Sequence, residues 1–238
     1  VLAANVHGNE RTLRESLLIL LRELATPGTE VNRWLDDLVV VVVPTINPDG
    51  FEATERGIRG NSWGIDMNRD YVKLEHQSVT NYIQNVLHRW RPHLFVDGHN
   101  GGSYPYNLTY QCTSIASADP SLTQVCDEEI FPLMDKRLLE NGYESWYYAR
   151  GTRTRWNVGG WQARIGRNYG GLVNSIAILF ESPGGQPLEQ GVFAGVIGYK
   201  AVMEYARDNA ESMMALVDNA RQATAAFGNG AWDEVVVR

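Results

Sequence analysis

Leu38-Val-Val-Val-Val-Val43 is the stretch that most narrows what this chain can fold into. A run of Leu and β-branched residues favours a pleated backbone and offers water no polar face. It predicts a strand covered on both sides and ended by Pro44. Val1–Val6, Leu94–Val96 and Ser175–Phe180 read as further apolar strands. Between them the spacing turns helical. Leu13, Leu17, Leu20, Leu21 and Leu24 mark a helix from Glu10 to Leu24, stopped by Pro27-Gly28. Val79, Tyr82, Ile83, Val86, Leu87 and Trp90 mark a second, closed by Pro92. Asp119-Pro120 caps and opens a third, expected to kink at Pro132 and end at Gly142. Glu144–Ala149 reads as another strand, and Val192–Phe227 as two helices joined near Asn209. Strands alternating with helices indicate an α/β fold with a largely parallel central sheet. At 238 residues and 44% hydrophobic content, a single domain over 1–238 is expected, with 192–238 as its C-terminal helical segment.

Charge and ends exclude some roles. With 21 basic against 28 acidic residues, net −7, a nucleic-acid surface is not expected. No run of 18 apolar residues exists, so no membrane-spanning helix is expected. The chain starts without Met inside an apparent core strand, and is expected to lack its natural N-terminus. Cys126 shares an apolar helix side with Leu122 and Val125, which suits a buried free thiol. A Cys112–Cys126 disulfide is the alternative.

The chemistry collects at strand ends. His7, His99 and Glu181 each follow an apolar strand at its carboxyl end, the edge where open α/β sheets bind ligands. His7 and Glu10 flank a strand-to-helix turn and can aim at one point. His99 can complete a His-Glu-His set that leaves a metal one open position. Alone, the H-x-x-E pattern is weak. Glu181 is a carboxylate at the end of a buried strand, either paired with a cation or held as a general base. Phe51–Asp70 and Gly151–Asn174 lack periodicity and read as loops, where sites usually sit. The first carries Arg59 and Asn68-Arg69, donors suited to an oxyanion and a planar carboxylate.

Taken in order, His7-Gly-Asn-Glu10, Asn47-Pro-Asp-Gly50, Gly64-Ile-Asp-Met-Asn-Arg-Asp70, Asp97-Gly-His99 and Phe180-Glu181 resemble the landmarks of zinc metallocarboxypeptidases of the carboxypeptidase A type. The resemblance runs from residue 1 to about residue 185 and implies a three-layer α/β/α sandwich with a mixed, mostly parallel sheet. It also implies a further hairpin and helix before Val1, and a secreted or periplasmic protein. One zinc per chain would be held by His7, Glu10 and His99. Asp66 would orient His7. Glu181 would be the general base, Arg59 would stabilise the oxyanion, and Asn68 and Arg69 would grip the terminal carboxylate of a peptide or peptide-like substrate.

Some positions stay open. Arg56 competes with Arg59, which is preferred for its spacing to Asn68. The family's mobile tyrosine has no convincing counterpart, with Tyr169 the one tyrosine in the second loop. Arg164 and Arg167 either read an acidic side chain or second carboxylate in the substrate or are solvated surface arginines. His93 is expected to be structural, and His76 and His88 to lie on the surface. Asn107-Leu-Thr109 matches a glycosylation acceptor too common to carry weight. Trp146, Tyr147 and Tyr148 read as sheet packing. A deacylase or amidase acting on acyl-amino acids or cell-wall fragments is the alternative function, and a non-catalytic binding domain is a third.

Overall fold

A computed structural model describes residues 1–102, 105–151 and 154–230. β1 (Leu2–Ala4) feeds through a turn into α1 (Thr12–Ala25), and α2 (Glu30–Arg33) leads to β2 (Val42–Val43). Next come α3 (Pro48–Glu52) and α4 (Gln77–Tyr82), which runs on as a wider π-type turn to His88. β3 (Leu94–Asn100) and β4 (Leu108–Cys112) precede α5 (Pro120–Val125), α6 (Phe131–Glu140) and β5 (Ser145–Tyr147). A short ribbon of β6 (Arg150–Gly151) and β7 (Trp156–Asn157) leads to α7 (Gly166–Leu172), β8 (Ile176–Ser182), α8 (Leu188–Asp208) and α9 (Ala210–Gly228).

Six strands form one mixed sheet in the order β2-β1-β3-β8-β4-β5. Its pairings are parallel except for β4, which runs antiparallel to β8. Because successive side chains on a strand point to opposite faces, each strand feeds two layers. Leu2, Ala4, Leu94, Val96, Ile176, Ile178 and Phe180 pack against α1, α5, α6, α8 and α9. Ala3, Phe95 and Ala177 pack on the other side with Met67, Tyr71 and the α4 residues Val79 and Tyr82. The result is the expected α/β/α sandwich. On α1 the buried stripe is Leu13, Leu17, Leu20 and Leu24, as the spacing predicts.

Four expectations change. Leu38–Val43 is not a strand covered on both faces. Only Val42 and Val43 pair, at the sheet edge, and Val39 is 79% exposed. A β-branched run reports strand preference, but burial depends on where the strand lands in the sheet. Beside this edge runs an apolar groove whose walls include Val40, Trp90, Leu94 and Met213. Second, β4 was not expected; its alternate residues Leu108, Tyr110 and Cys112 are buried in the core. Third, part of the 151–174 loop is helix α7. Fourth, His76 is not on the surface: it is buried and caps α4 by accepting from the Ser78 N–H at 3.2 Å.

The Pro132 kink takes the form of a π-type stretch, Cys126–Ile130, between α5 and α6. Proline lacks the N–H that would continue the regular ladder. Cys112 and Cys126 are free, buried thiols with their Sγ atoms 2.7 Å apart. Tyr147 stacks edge-on against Tyr110 and Phe131, as sheet packing predicts, while Trp146 is half exposed against Tyr106. No described helix is long and apolar enough to cross a membrane.

Candidate active site

The turn after β1 is built to hold two side chains still. Asn5 takes a left-handed backbone (φ 59), which asparagine tolerates better than most residues. Its buried amide donates to the carbonyls of His7, Gly8 and Glu10 at 3.0, 3.2 and 2.9 Å. Gly8 sits against Gly50, where any Cβ would collide with the backbone. So fixed, His7 Nδ1 lies 2.9 Å from Glu10 Oε1. From β3, His99 Nδ1 comes within 2.8 Å of Glu10 Oε2 and 3.2 Å of His7 Nδ1.

Candidate donor atoms of these three buried residues all lie within 4.8 Å of one another. Two imidazole nitrogens and a carboxylate converging on one point suit a catalytic zinc with an open position. Burial opposes ionisation of Glu10, but the charges and hydrogen bonds of His99 and His7 hold its carboxyl well below the usual range. Asp66 approaches the far side of His7, with Oδ1 3.0 Å from Nε2. Burial opposes its ionisation too, and His7, Arg59 and Arg69 together hold it low.

Glu181 is the Cα partner of His99 across the β3–β8 pair. It is 7% exposed, and its Oε2 has no hydrogen-bond partner among the described residues. Burial pushes its carboxyl up to about 7, with His99 pulling down and Glu10 pushing up. A side chain at Gly101 would collide with Glu181 Oε2 and Arg150 Nη2, so this glycine lets both close on one spot. Tyr148 shares that neighbourhood: burial and the Glu181 charge push its phenol up to about 12.

The other expected residues separate. Arg59 is half exposed and reaches Asp66 through Nε at 3.1 Å, with Nη1 3.5 Å from Glu10 Oε1. Arg56 is exposed, and among the described residues it makes no hydrogen bond or ion pair with this cluster. Asn68 is buried at the site; its Oδ1 accepts from the Gly166 N–H at 2.8 Å, and its Nδ2 lies 3.3 Å from His99 Nε2. Arg69 is half-buried and donates through Nη1 to the Asn68 carbonyl at 2.7 Å. Arg167 is 3% exposed, donating to the Gly160 carbonyl at 2.8 Å with its Nε unpartnered. Arg164 is exposed. Tyr169 is spent elsewhere, its hydroxyl 2.7 Å from His88 Nε2. Sequence reasoning gave Asp97 no role of its own, read Tyr148 as sheet packing and passed over Arg150. The Asp97 signal was available, two residues before His99 on the same strand face.

A family model described as zinc carboxypeptidase matches residues 1–170. The chain belongs to the zinc carboxypeptidase family. Within this peptidase family, carboxypeptidase 2 of Trichophyton equinum is 27% identical over 229 residues, covering 87% of this chain and 42% of that protein. Carboxypeptidase M of Mus musculus is 28% identical, covering 65% of this chain and 43% of that protein. The chain thus spans less than half the length of these curated relatives. The fold is shared with a metallo-carboxypeptidase from Burkholderia cenocepacia, at a TM-score of 0.67 and 18% identity, over 86% of this chain and 56% of that one. The family implies zinc, and His7, Glu10 and His99 form a group able to hold it.

Proposed function

We propose that the protein is a zinc-dependent metallocarboxypeptidase that hydrolyses the C-terminal amide bond of peptides or peptide-like substrates. One observation carries this: a buried carboxylate with a free oxygen, Glu181, is locked in register beside His99 of the His7–Glu10–His99 group. Zinc, when bound, would supply a Lewis acid that polarises the carbonyl and eases ionisation of water. Glu181 takes a proton from the attacking water at Oε2 and passes it to the leaving amine. Burial raises its proton affinity above that of an ordinary carboxyl, which helps it hold the proton in transit.

Arg59 swings from Asp66 to the developing oxyanion, a move its exposure permits. Asp66 holds the His7 ring with Nδ1 turned inward. Asn68 and Arg69 bind the terminal carboxylate. Arg167, buried with no carboxylate within ion-pair distance among the described residues, supports a substrate with an acidic side chain or second carboxylate. Family resemblance favours an exported protein.

A matched pair of peptides, free and amidated at the C-terminus, tests the reading. The zinc-loaded protein is expected to release one residue from the free form and leave the amide intact. Equal turnover of both would favour the deacylase or amidase alternative. Loss of all amide hydrolysis, unchanged by Glu181→Gln, would favour a binding domain.

A further inference from the structure

We infer that Asp97 is the positioning residue for His99, accepting the hydrogen bond from its Nε2 and so fixing Nδ1 as the metal-facing nitrogen. This rests on the reading of His99 as a ligand. The two residues are alternate positions on β3, so their side chains share one sheet face. Asp97 Oδ2 lies 3.1 Å from His99 Nε2. Asp97 is fully buried, and among the described residues neither of its oxygens has an aligned hydrogen-bond donor. A buried carboxylate left this way is costly, and the imidazole N–H at 3.1 Å is a donor within reach.

Among the described residues, Asn68 offers the competing contact to the same nitrogen, at 3.3 Å. Its Nδ2 is a donor, and its Oδ1 already accepts from the Gly166 N–H. With Nδ1 turned toward Glu10 and His7 and committed to the metal, the neutral ring would carry its proton on Nε2. A protonated Nε2 cannot accept from Asn68. Of the two neighbours, only Asp97 suits it. His7 shows the same design, with Nδ1 inward and Nε2 against Asp66 Oδ1 at 3.0 Å. Each histidine therefore has its own carboxylate, a recurrent way to lock a metal-binding ring.

The pocket around Asp97 is shaped for this. A Cβ on Gly166 would lie 2.5 Å from Asp97 Oδ2 and 3.0 Å from the Tyr71 hydroxyl, so glycine leaves room for both. A consequence follows for Asn68. Once Nε2 donates to Asp97, the Asn68 amide N–H has no acceptor there and turns to the substrate carboxylate.

Zinc affinity, measured by chelator competition on the wild type, Asp97→Asn and Asn68→Ala, tests this. Asp97→Asn is expected to weaken zinc binding about 10- to 100-fold, with the metal-free melting temperature held. Asn68→Ala is expected to leave zinc affinity within about twofold and to raise KM, since it loses its substrate contact and its bond to the Gly166 N–H but no contact on which the His99 tautomer depends. Equal zinc affinity of Asp97→Asn and wild type would overturn the assignment. A wild type that binds no zinc would instead sink the ligand reading beneath it. Should Asp97→Asn fail to fold, nitrogen-15 histidine NMR of the zinc-loaded wild type decides. A His99 proton on Nε2 supports the assignment, and one on Nδ1 overturns it.

Discussion

His99 and Glu181 are Cα partners on adjacent parallel strands, β3 and β8, in the middle of the sheet. The proposed ligand and the proposed base are therefore spaced by backbone hydrogen bonds rather than by a loop. A site on rigid elements holds its geometry better than one on loops. Replacing Glu181 by Gln keeps shape and removes the proton acceptor. Expect kcat to fall by about 10²- to 10⁴-fold with bound zinc unchanged. Steady-state kinetics alongside metal analysis checks this; full activity in the variant would remove Glu181 from the chemistry.

The pH dependence follows from the same residue. Without metal, burial raises the Glu181 carboxyl from 4.5 to about 7. The folded chain then holds this proton more tightly than the unfolded chain does. Its stabilising contribution is complete below about 4.5 and is lost as pH rises through about 7. Denaturant titrations of the metal-free protein should show stability falling across that window, with the fall flattened in Glu181→Gln. A divalent cation draws the carboxyl down. The acid limb of kcat/KM in the loaded enzyme should therefore lie below 7, with activity rising as Glu181 ionises. An acid limb above that value would contradict this.

Arg59 and Arg56 can be told apart by truncation. Arg59 touches Asp66 and approaches Glu10, so Arg59→Ala should cost about 10²- to 10³-fold in kcat. Arg56→Ala should stay within about twofold, the usual range for an exposed side chain. The opposite ranking in single-turnover assays would move the oxyanion role to Arg56.

Packing makes a prediction away from the chemistry. A Cβ on Gly170 of α7 would lie 2.7 Å from the Ala177 Cβ and 2.8 Å from Phe95 Cδ1. Gly170→Ala thus overpacks the seam between α7 and the sheet, at a cost of about 1–3 kcal/mol. Melting temperature should drop by about 2–4 °C for each kcal/mol. No drop would mean that α7 sits more loosely than described.

How far the sequence foretold all this depends on the residue. His7, His99 and Glu181 were legible as candidates because each follows an apolar run at a strand end, where α/β sheets present ligands, and Glu10 because it stands three residues after His7. Their convergence needed three-dimensional pairing, since His7 and His99 are 92 positions apart. Asp97 was passed over because a strand-end aspartate looks ordinary until its side is known. α7 was read as loop because Gly166, Gly170 and Gly171 suppress helix propensity. Close packing on Asp97, Ala177 and Thr113 is what demands them. Leu38–Val43 was overread, because an edge strand and a central strand can share one composition. Tyr169 was the nearest tyrosine in sequence, yet Tyr148, just after β5, is the one that feels the Glu181 charge.

The most direct test is metal content measured together with reversible loss of cleavage. The protein should bind one zinc per chain and release the C-terminal residue of an unblocked peptide. A chelator should abolish cleavage and added zinc restore it, while His99→Ala should do neither, having lost the metal. Cleavage that survives complete zinc removal, or persists in His99→Ala, would contradict the proposed metal centre.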